Sequence, residues 1–294
     1  LRRQRQMCIR DRCNMDKLSL EARIEAELIS YAGKMCVYVN DFKGNTIEIG
    51  ADEKFETASC IKSFILADLF SQVENGTKDL YEKLKYTKKN YINGSGVIQS
   101  LDEGVEMTAI NFAKLMIIVS DNVATNILID YLGIDHINKT IQELGFKDTI
   151  LHNKIDFEKY DKLGTTTPRD YGRLFELIAK KELISEEASN KMLDIFKMQH
   201  YNSMIVRDFP QYYLDSEDTG EEELIYVASK SGSMDACRND GGLVFTPYGP
   251  YVIVMFNKEF HDSLYYANHD ATVYGGKVSR MIFDEFIALK GKIK

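Results

Sequence analysis

Ala58-Ser59-Cys60-Ile61-Lys62 opens a helical run directly after an extended segment, with Ser59 and Lys62 three residues apart. Residues at that separation share one face of a helix, so the hydroxyl and the amine can meet. A Ser in the first turn also sits at the positive end of the helix dipole, where charge developing on an attacked carbonyl is best tolerated. The pair reads as a nucleophile with its activator, and equally as a Ser N-cap followed by a surface Lys. Ile61, Ile65, Leu69 and Val73 give the helix a buried stripe before Gly76 closes it. Cys60, next to Ser59, reads as a small buried residue on the inner face of that helix.

Working outward, Met35 to Asn40 is rich in β-formers, Phe42-Lys43-Gly44-Asn45 reads as a turn, and Thr46 to Gly50 alternates again. That is a hairpin, so Ser59 follows at a strand-to-helix junction. Ahead of it lies an amphipathic helix starting at Met15, with Leu18, Leu20, Ile24, Leu28 and Ile29 at helical spacing. Beyond Asp79–Asn90, a charged connector, and the tight turn Gly94-Ser95-Gly96-Val97, a run through Phe112, Leu115, Met116 and Ile117 reads as a buried helix capped by Thr108. It stops at Ser120-Asp121-Asn122, and buried helices follow through Leu132 and from Ile134 to Gly145. A polar triplet between buried helices must find partners. Either Ser120 or Asp121 caps the next helix, or Asp121 holds the turn while Ser120 and Asn122 point into a cleft.

The stretch Gly145 to Gly164 is long and irregular, of the kind that tends to carry function. Pro168 starts the next helix, Ser185 caps another, and Asp215 to Glu223 is an acidic, solvated turn. Strands then return: Leu224 to Ser229 leading into Lys230-Ser231-Gly232-Ser233, and a hairpin of Asp240–Thr246 and Tyr251–Asn257. A last amphipathic helix carries Val278, Ile282, Phe283, Phe286 and Ile287. The order predicts an α/β (α+β) fold: an antiparallel five-stranded sheet flanked by N- and C-terminal helices, with an all-helical subdomain inserted. The expected division assigns residues 15–57 and 222–294 to the sheet and 58–221 to the helical part.

Composition sets the setting. The 294 residues are 44% hydrophobic and 28% charged, ordinary for a globular protein. A net charge of -8 and the lack of a basic stripe argue against a nucleic-acid partner, and no apolar run is long enough to span a bilayer. Cys8, Cys13, Cys36, Cys60 and Cys237 show no Cys-x-x-Cys spacing, so they read as free thiols rather than disulfides or a zinc site. Residues 1–14 lack the apolar core of a signal peptide and read as a leader foreign to the fold. The expectation is a cytoplasmic monomer without metal or cofactor.

Ser59-x-x-Lys62, then Ser120-Asp121-Asn122, then Lys230-Ser231-Gly232 occur in that order, and together they resemble the signatures of the penicillin-recognising serine enzymes, specifically the class A β-lactamase group. Gly94-Ser95-Gly96-Val97, Thr166-Thr167-Pro168 and Asn239-Asp240 extend the likeness from Leu18 to Leu289. The resemblance implies a serine hydrolase in which Ser59 is acylated and Lys62 eases removal of its proton. Ser120 would pass that proton to the leaving nitrogen, with Lys230 nearby, and Asn122 would anchor Lys62 and the substrate. Lys230, Ser231 and Gly232 would receive a carboxylate-bearing small molecule, with Arg238 adding charge, and the amides of Ser59 and Ser233 would form the oxyanion hole. The group also carries a Glu-x-x-x-Asn element before Thr-Thr-Pro, whose Glu activates the deacylating water. That element is missing here, and Asp156 and Glu158 are the nearby carboxylates. Acylation is therefore better supported than turnover. Hydrolysis of a β-lactam amide, an esterase or peptidase activity on another substrate, and stable acylation by a binding protein are the readings this leaves.

Overall fold

The structure is a computed structural model that describes residues 18–160, 162–214 and 224–288. Leu20–Leu28 forms α1, Lys34–Asn40 β1, Thr46–Ile49 β2 and Phe55–Glu56 β3, after which a 3-10 turn, Ala58–Ile61, leads into α2, Lys62–Glu74. A small hairpin, Lys83–Lys85 (β4) with Glu106–Thr108 (β5), precedes Ala109–Ile118 (α3), Asn122–Leu132 (α4) and Ile134–Glu143 (α5). Ile150–Leu151 (β6) and Gly164–Thr166 (β7) bracket the loop before Pro168–Ala179 (α6) and Glu186–Lys197 (α7). Tyr226–Ser229 (β8), Gly232–Met234 (β9), Cys237–Phe245 (β10) and Tyr251–Lys258 (β11) return to the sheet, and Asp270–Ala288 (α8) closes the described chain.

The main sheet runs β2-β1-β11-β10-β8, antiparallel throughout. This is the expected five-strand path, to which β9 adds a short sixth strand by pairing with β10 beyond the end of β8. Lys230 and Ser231 separate β8 from β9, and the Lys230 amide still donates to the Gly241 carbonyl at 3.0 Å, so the edge stays nearly continuous.

Successive side chains on a strand face opposite sides. Here both sides are buried, which is why the sheet's inner strands read as unbroken apolar runs. Cys36, Tyr38, Val252, Val254 and Phe256 pack into the cluster that includes the helical block. Met35, Val37, Val39, Ile253 and Met255 pack with Ile24 of α1 and with Val278, Ile282 and Phe283 of α8. The sheet is thus the middle layer.

Some local expectations are corrected. Ser59 lies in the 3-10 turn, and the α-helix starts only at Lys62. Leu18 and Ile29 are 46% and 83% exposed, because α1 buries one narrow face centred on Ile24 and both residues lie beyond its ends. Thr108 stands at the N-cap of α3 without a side-chain capping bond, whereas Asp121, Thr167 and Ser185 cap α4, α6 and α7. The stretch from Gly145 to Gly164 is not wholly irregular: β6 and β7 pair with each other, and β7 with β3. Cys36, Cys60 and Cys237 are buried free thiols. Cys8, Cys13, the leader, the start of the first helix, the acidic run 215–223 and the side chain of Ile287 lie outside the described residues. Among the described residues no helix is long and apolar enough to cross a membrane.

Because β11 is core to both layers, Phe256→Ala on one face and Met255→Ala on the other are each expected to cost about 2–5 kcal/mol. Both should lower the midpoint of a single cooperative transition in thermal or denaturant unfolding. Two separated transitions would mean that the layers unfold independently.

Candidate active site

The polar clusters meet where α2, the α3–α4 turn and the β8–β9 edge converge. Lys62, on the first turn of α2, has its Nζ within hydrogen-bond distance of three acceptors: Ser120 O at 2.7 Å, Ser120 Oγ at 3.0 Å and Asn122 Oδ1 at 2.8 Å. Lys230 Nζ donates to the same Ser120 Oγ at 3.1 Å and to Ser231 O at 2.7 Å. Both lysines are 0% exposed. Among the described residues no carboxylate is bonded to either amine.

Two buried amines around one hydroxyl cannot both hold a proton cheaply. Burial, and then the charge of Lys230, hold the Lys62 amine well below the ordinary lysine range. Burial outweighs the raising influence of Cys60 and Asp240 and leaves Lys230 lowered to about 8. The direction for both is toward the neutral form, more strongly for Lys62. A neutral Lys62 has two N–H bonds and one lone pair. Donation to Ser120 O and Asn122 Oδ1 leaves the lone pair free to accept a proton, while Lys230 keeps its charge at neutral pH.

The α3–α4 turn is built to present Ser120 and Asn122. Ser120 has φ +52°, a conformation costing of order 1–3 kcal/mol in a non-glycine residue. Asp121 braces it: its carboxylate accepts the amides of Ala124 at 2.9 Å, Val97 at 2.7 Å and Ile98 at 2.9 Å. Asp121 therefore caps α4 and also ties the Gly94–Val97 turn to it, while Ser120 and Asn122 meet Lys62. Gly96 permits this closeness, since a Cβ there would lie 2.3 Å from the Asp121 carboxyl carbon. Asn122 is held from both ends, its Nδ2 donating to Asn93 O at 3.1 Å.

Ser59 is placed differently from its partners. It is half-buried, and among the described residues its hydroxyl has no hydrogen-bond partner, so the expected Ser59–Lys62 contact is not a hydrogen bond in this state. Ala58 before it has φ +44°, a second strained position in the site. Gly232 of β9 lies directly against this turn: a Cβ there would be 2.7 Å from Ser59 N and from Thr57 O. Only glycine lets the strand edge approach the Ser59 backbone this closely, and Ser233 is the next residue of β9.

Tyr171 was not legible in the sequence, and Asn239 was legible only as part of the Asn239-Asp240 landmark, without a role. Tyr171 of α6 is fully buried and donates its hydroxyl hydrogen bond to Lys230 O at 2.8 Å. Cys60 Sγ lies 3.5 Å from the same carbonyl, and burial pushes its thiol pKa up, which makes it a poor nucleophile. Asn239 Nδ2 donates to Glu56 O at 2.8 Å and fastens β3 to β10.

Three expected residues are placed elsewhere or otherwise engaged. Arg238 is 3% exposed, with its guanidinium donating to the carbonyls of Met234, Cys237, Ser263 and Leu264 and lying 4.2 Å from the Tyr265 ring. It staples the β9–β10 turn to the segment after β11 and is neither a surface ion pair nor a free cation for a substrate. Asp156 accepts the amides of Glu158 and Lys159 at 3.2 Å, capping its own turn, and Glu158 is exposed. Neither bonds to Ser59, Lys62 or Ser120. The loop is anchored instead by Asn126 of α4, whose amide exchanges two 2.9 Å hydrogen bonds with the backbone of Ile155. No cluster of metal-ligating side chains occurs among the described residues.

The chain is similar to known proteins over most of its length. It is 24% identical to the β-lactamase SME-1 of Serratia marcescens over 217 residues, 70% of this chain and 68% of that protein. A β-lactamase structure from Sphaerobacter thermophilus superposes with a TM-score of 0.80 at 26% identity, over 92% of this chain and 98% of the other. PBP-A superposes with a TM-score of 0.78 at 28% identity, over 91% and 95%. A mutant of PBP-A, similar at 27% identity, TM-score 0.78 and 91% and 96% coverage, is described as an acyl-enzyme complex with penicillin-G. A sequence model of the Beta-lactamase enzyme family matches residues 19–286, so the chain belongs to the β-lactamase enzyme family.

Proposed function

We propose that this protein is a serine enzyme that opens the amide of a β-lactam by acylating Ser59 and releases the acyl group slowly. The observation that carries the reading is the pair of buried amines, Lys62 and Lys230, sharing the Ser120 hydroxyl one helical turn from a half-buried serine.

The chemistry follows from those positions. Ser59 Oγ attacks the carbonyl carbon, and its proton moves to the neutral Lys62 amine as the C–O bond forms. Backbone amides of Ser59 and Ser233 receive the oxyanion, each such donor contributing about 3 kcal/mol. When the tetrahedral adduct collapses, the C–N bond breaks and the nitrogen takes the Ser120 proton. Lys62 returns its proton to Ser120, so the two amines end as they began. Lys230 has one N–H not given to Ser120 or Ser231, and with the Ser231 hydroxyl it suits a substrate carboxylate. Asn122 orients Lys62 and offers its amide edge to the substrate.

Slow release is favoured by a separate observation: Asp156 and Glu158 make no bond to the Ser59 machinery, and the backbone clamped by Asn126 belongs to the apolar Ile155. Without a placed carboxylate, water at the acyl carbon lacks a general base. The same machinery accommodates an ester or peptide substrate, because nucleophile and fold do not set the leaving group.

Intact mass spectrometry after mixing with penicillin G is expected to give one stable adduct, absent in Ser59→Ala. An unlabelled wild type, or an adduct that survives the substitution, would sink the nucleophile assignment. Adduct decay should stay within about two-fold of wild type in Asp156→Asn and Glu158→Gln, since neither holds the water; a stalled adduct in either would restore that carboxylate as the base. The acylation rate should fall as pH rises through about 8, where the Lys230 ammonium is lost. Lys230→Arg, which does not titrate there, should flatten this alkaline limb; an unchanged limb would assign it to another group.

A further inference from the structure

Glu56, the last residue of β3, has its carboxylate turned toward the backbone around the nucleophile. Its Oε1 accepts three amides: Ala58 at 3.0 Å, Leu163 at 3.2 Å and Gly164 at 3.2 Å. Oε2 is buried and has no partner among the described residues. The residue's own carbonyl is taken by Asn239 Nδ2. One oxygen therefore joins the amide immediately before Ser59 to two consecutive amides at the end of the loop that carries Asp156 and Glu158. The Thr57 amide donates to Gly164 O at 3.1 Å, and a Cβ at Gly164 would lie 2.8 Å from Thr57 Oγ1, so the two segments are in close contact along this line.

The Ala58 amide belongs to the residue with φ +44° that sets the backbone entering Ser59. A left-handed alanine persists only where its surroundings over-determine it. Thr57 offers no side-chain cap to the turn, so Glu56 supplies the acceptor that the turn's first residue lacks. A carboxylate accepting several amides is a strong restraint, because charge-assisted hydrogen bonds are shorter and stronger than neutral ones. Leaving its second oxygen unpaired in the interior is unfavourable, and a water or a loop-borne donor arriving there would be welcomed.

We infer that Glu56 is a positioning residue for the acylation reaction: through one carboxylate oxygen it holds the strained Ala58–Ser59 backbone in its attacking geometry and couples that geometry to the end of the 145–164 loop. The inference rests on Ser59 being the nucleophile. It implies that changes in the loop reach Ser59 through this carboxylate, without any loop side chain touching the substrate.

The test compares Glu56→Gln and Glu56→Ala with wild type, measuring the first-order acylation rate and the apparent dissociation constant for penicillin G by rapid quench and intact mass, with melting temperature alongside. Glu56→Gln keeps an oxygen that can accept the amides. Glu56→Ala removes it, and small misplacements of a nucleophile cost up to about 100-fold. Glu56→Ala is expected to slow acylation by about 10- to 100-fold with less than about three-fold change in the dissociation constant, and Glu56→Gln to restore most of the rate. An alanine variant that acylates at the wild-type rate overturns the inference, as does one whose loss lies only in binding. A glutamine variant slowed by about 10-fold or more from wild type would overturn the role of the acceptor oxygen, and that comparison stands even if the alanine variant fails to fold. Absence of a wild-type adduct defeats the Ser59 reading itself, and so is distinguishable from failure of the Glu56 inference.

Discussion

Everything chemical in this structure depends on a single shared oxygen. Ser120 Oγ is approached by Lys62 Nζ at 3.0 Å and Lys230 Nζ at 3.1 Å, in a place neither amine can leave for water. A carboxylate bonded to either amine would favour its charged form. Without one, burial, and for Lys62 also the charge of Lys230, shifts each amine toward the neutral form. The fold serves this arrangement by bringing α2, the α3–α4 turn and the sheet edge within one hydrogen bond of each other.

The supporting parts show how such a cluster is kept from relaxing. Asp121 takes three backbone amides and holds the left-handed Ser120. Tyr171, wedged between Phe64, Phe175 and Phe256, fixes the Lys230 carbonyl, so the orientation of the second amine is set from the aromatic core. Gly232 allows the sheet edge to touch the nucleophile turn, and Glu56 holds that turn from the other side. The strain at Ala58 and Ser120 is offset by these bonds and by the packing beneath them. The 145–164 loop has no comparable side-chain link to this cluster, since Asn126 binds the backbone of Ile155 and Asp156 caps its own turn.

The antiparallel sheet with its flanking helices, the helical insertion and a cap at the Ser120-Asp121-Asn122 turn were legible from local features. Alternation and apolar runs in Met35–Asn40 and Tyr251–Asn257 marked the sheet, and the order of elements marked the insertion between its halves. Contacts between distant segments were less accessible. Arg238 looked available for an anion because strand position reveals nothing about the four carbonyls that surround its guanidinium. Glu56 drew no notice because its partners Leu163 and Gly164 lie more than a hundred residues away in the chain. The break between β8 and β9 was not legible, because Leu224 to Ser233 reads as one run and the pairing with β10 resumes past Lys230 and Ser231.

By itself the sequence determined the class of fold, the faces that would be buried, and the residue types available for acyl chemistry at Ser59, Lys62, Ser120, Asn122 and Lys230. The fold class and the buried faces follow from periodicity, which acts over a few residues, and the site residues from the motifs that carry the family resemblance. Only the tertiary structure decided that both amines meet at one hydroxyl, that Arg238 is a staple, and that Asp156 and Glu158 stand apart from the nucleophile. Hydrogen bonds reach about 3 Å and demand direction, and no local pattern specifies distances that short between segments so far apart in the chain.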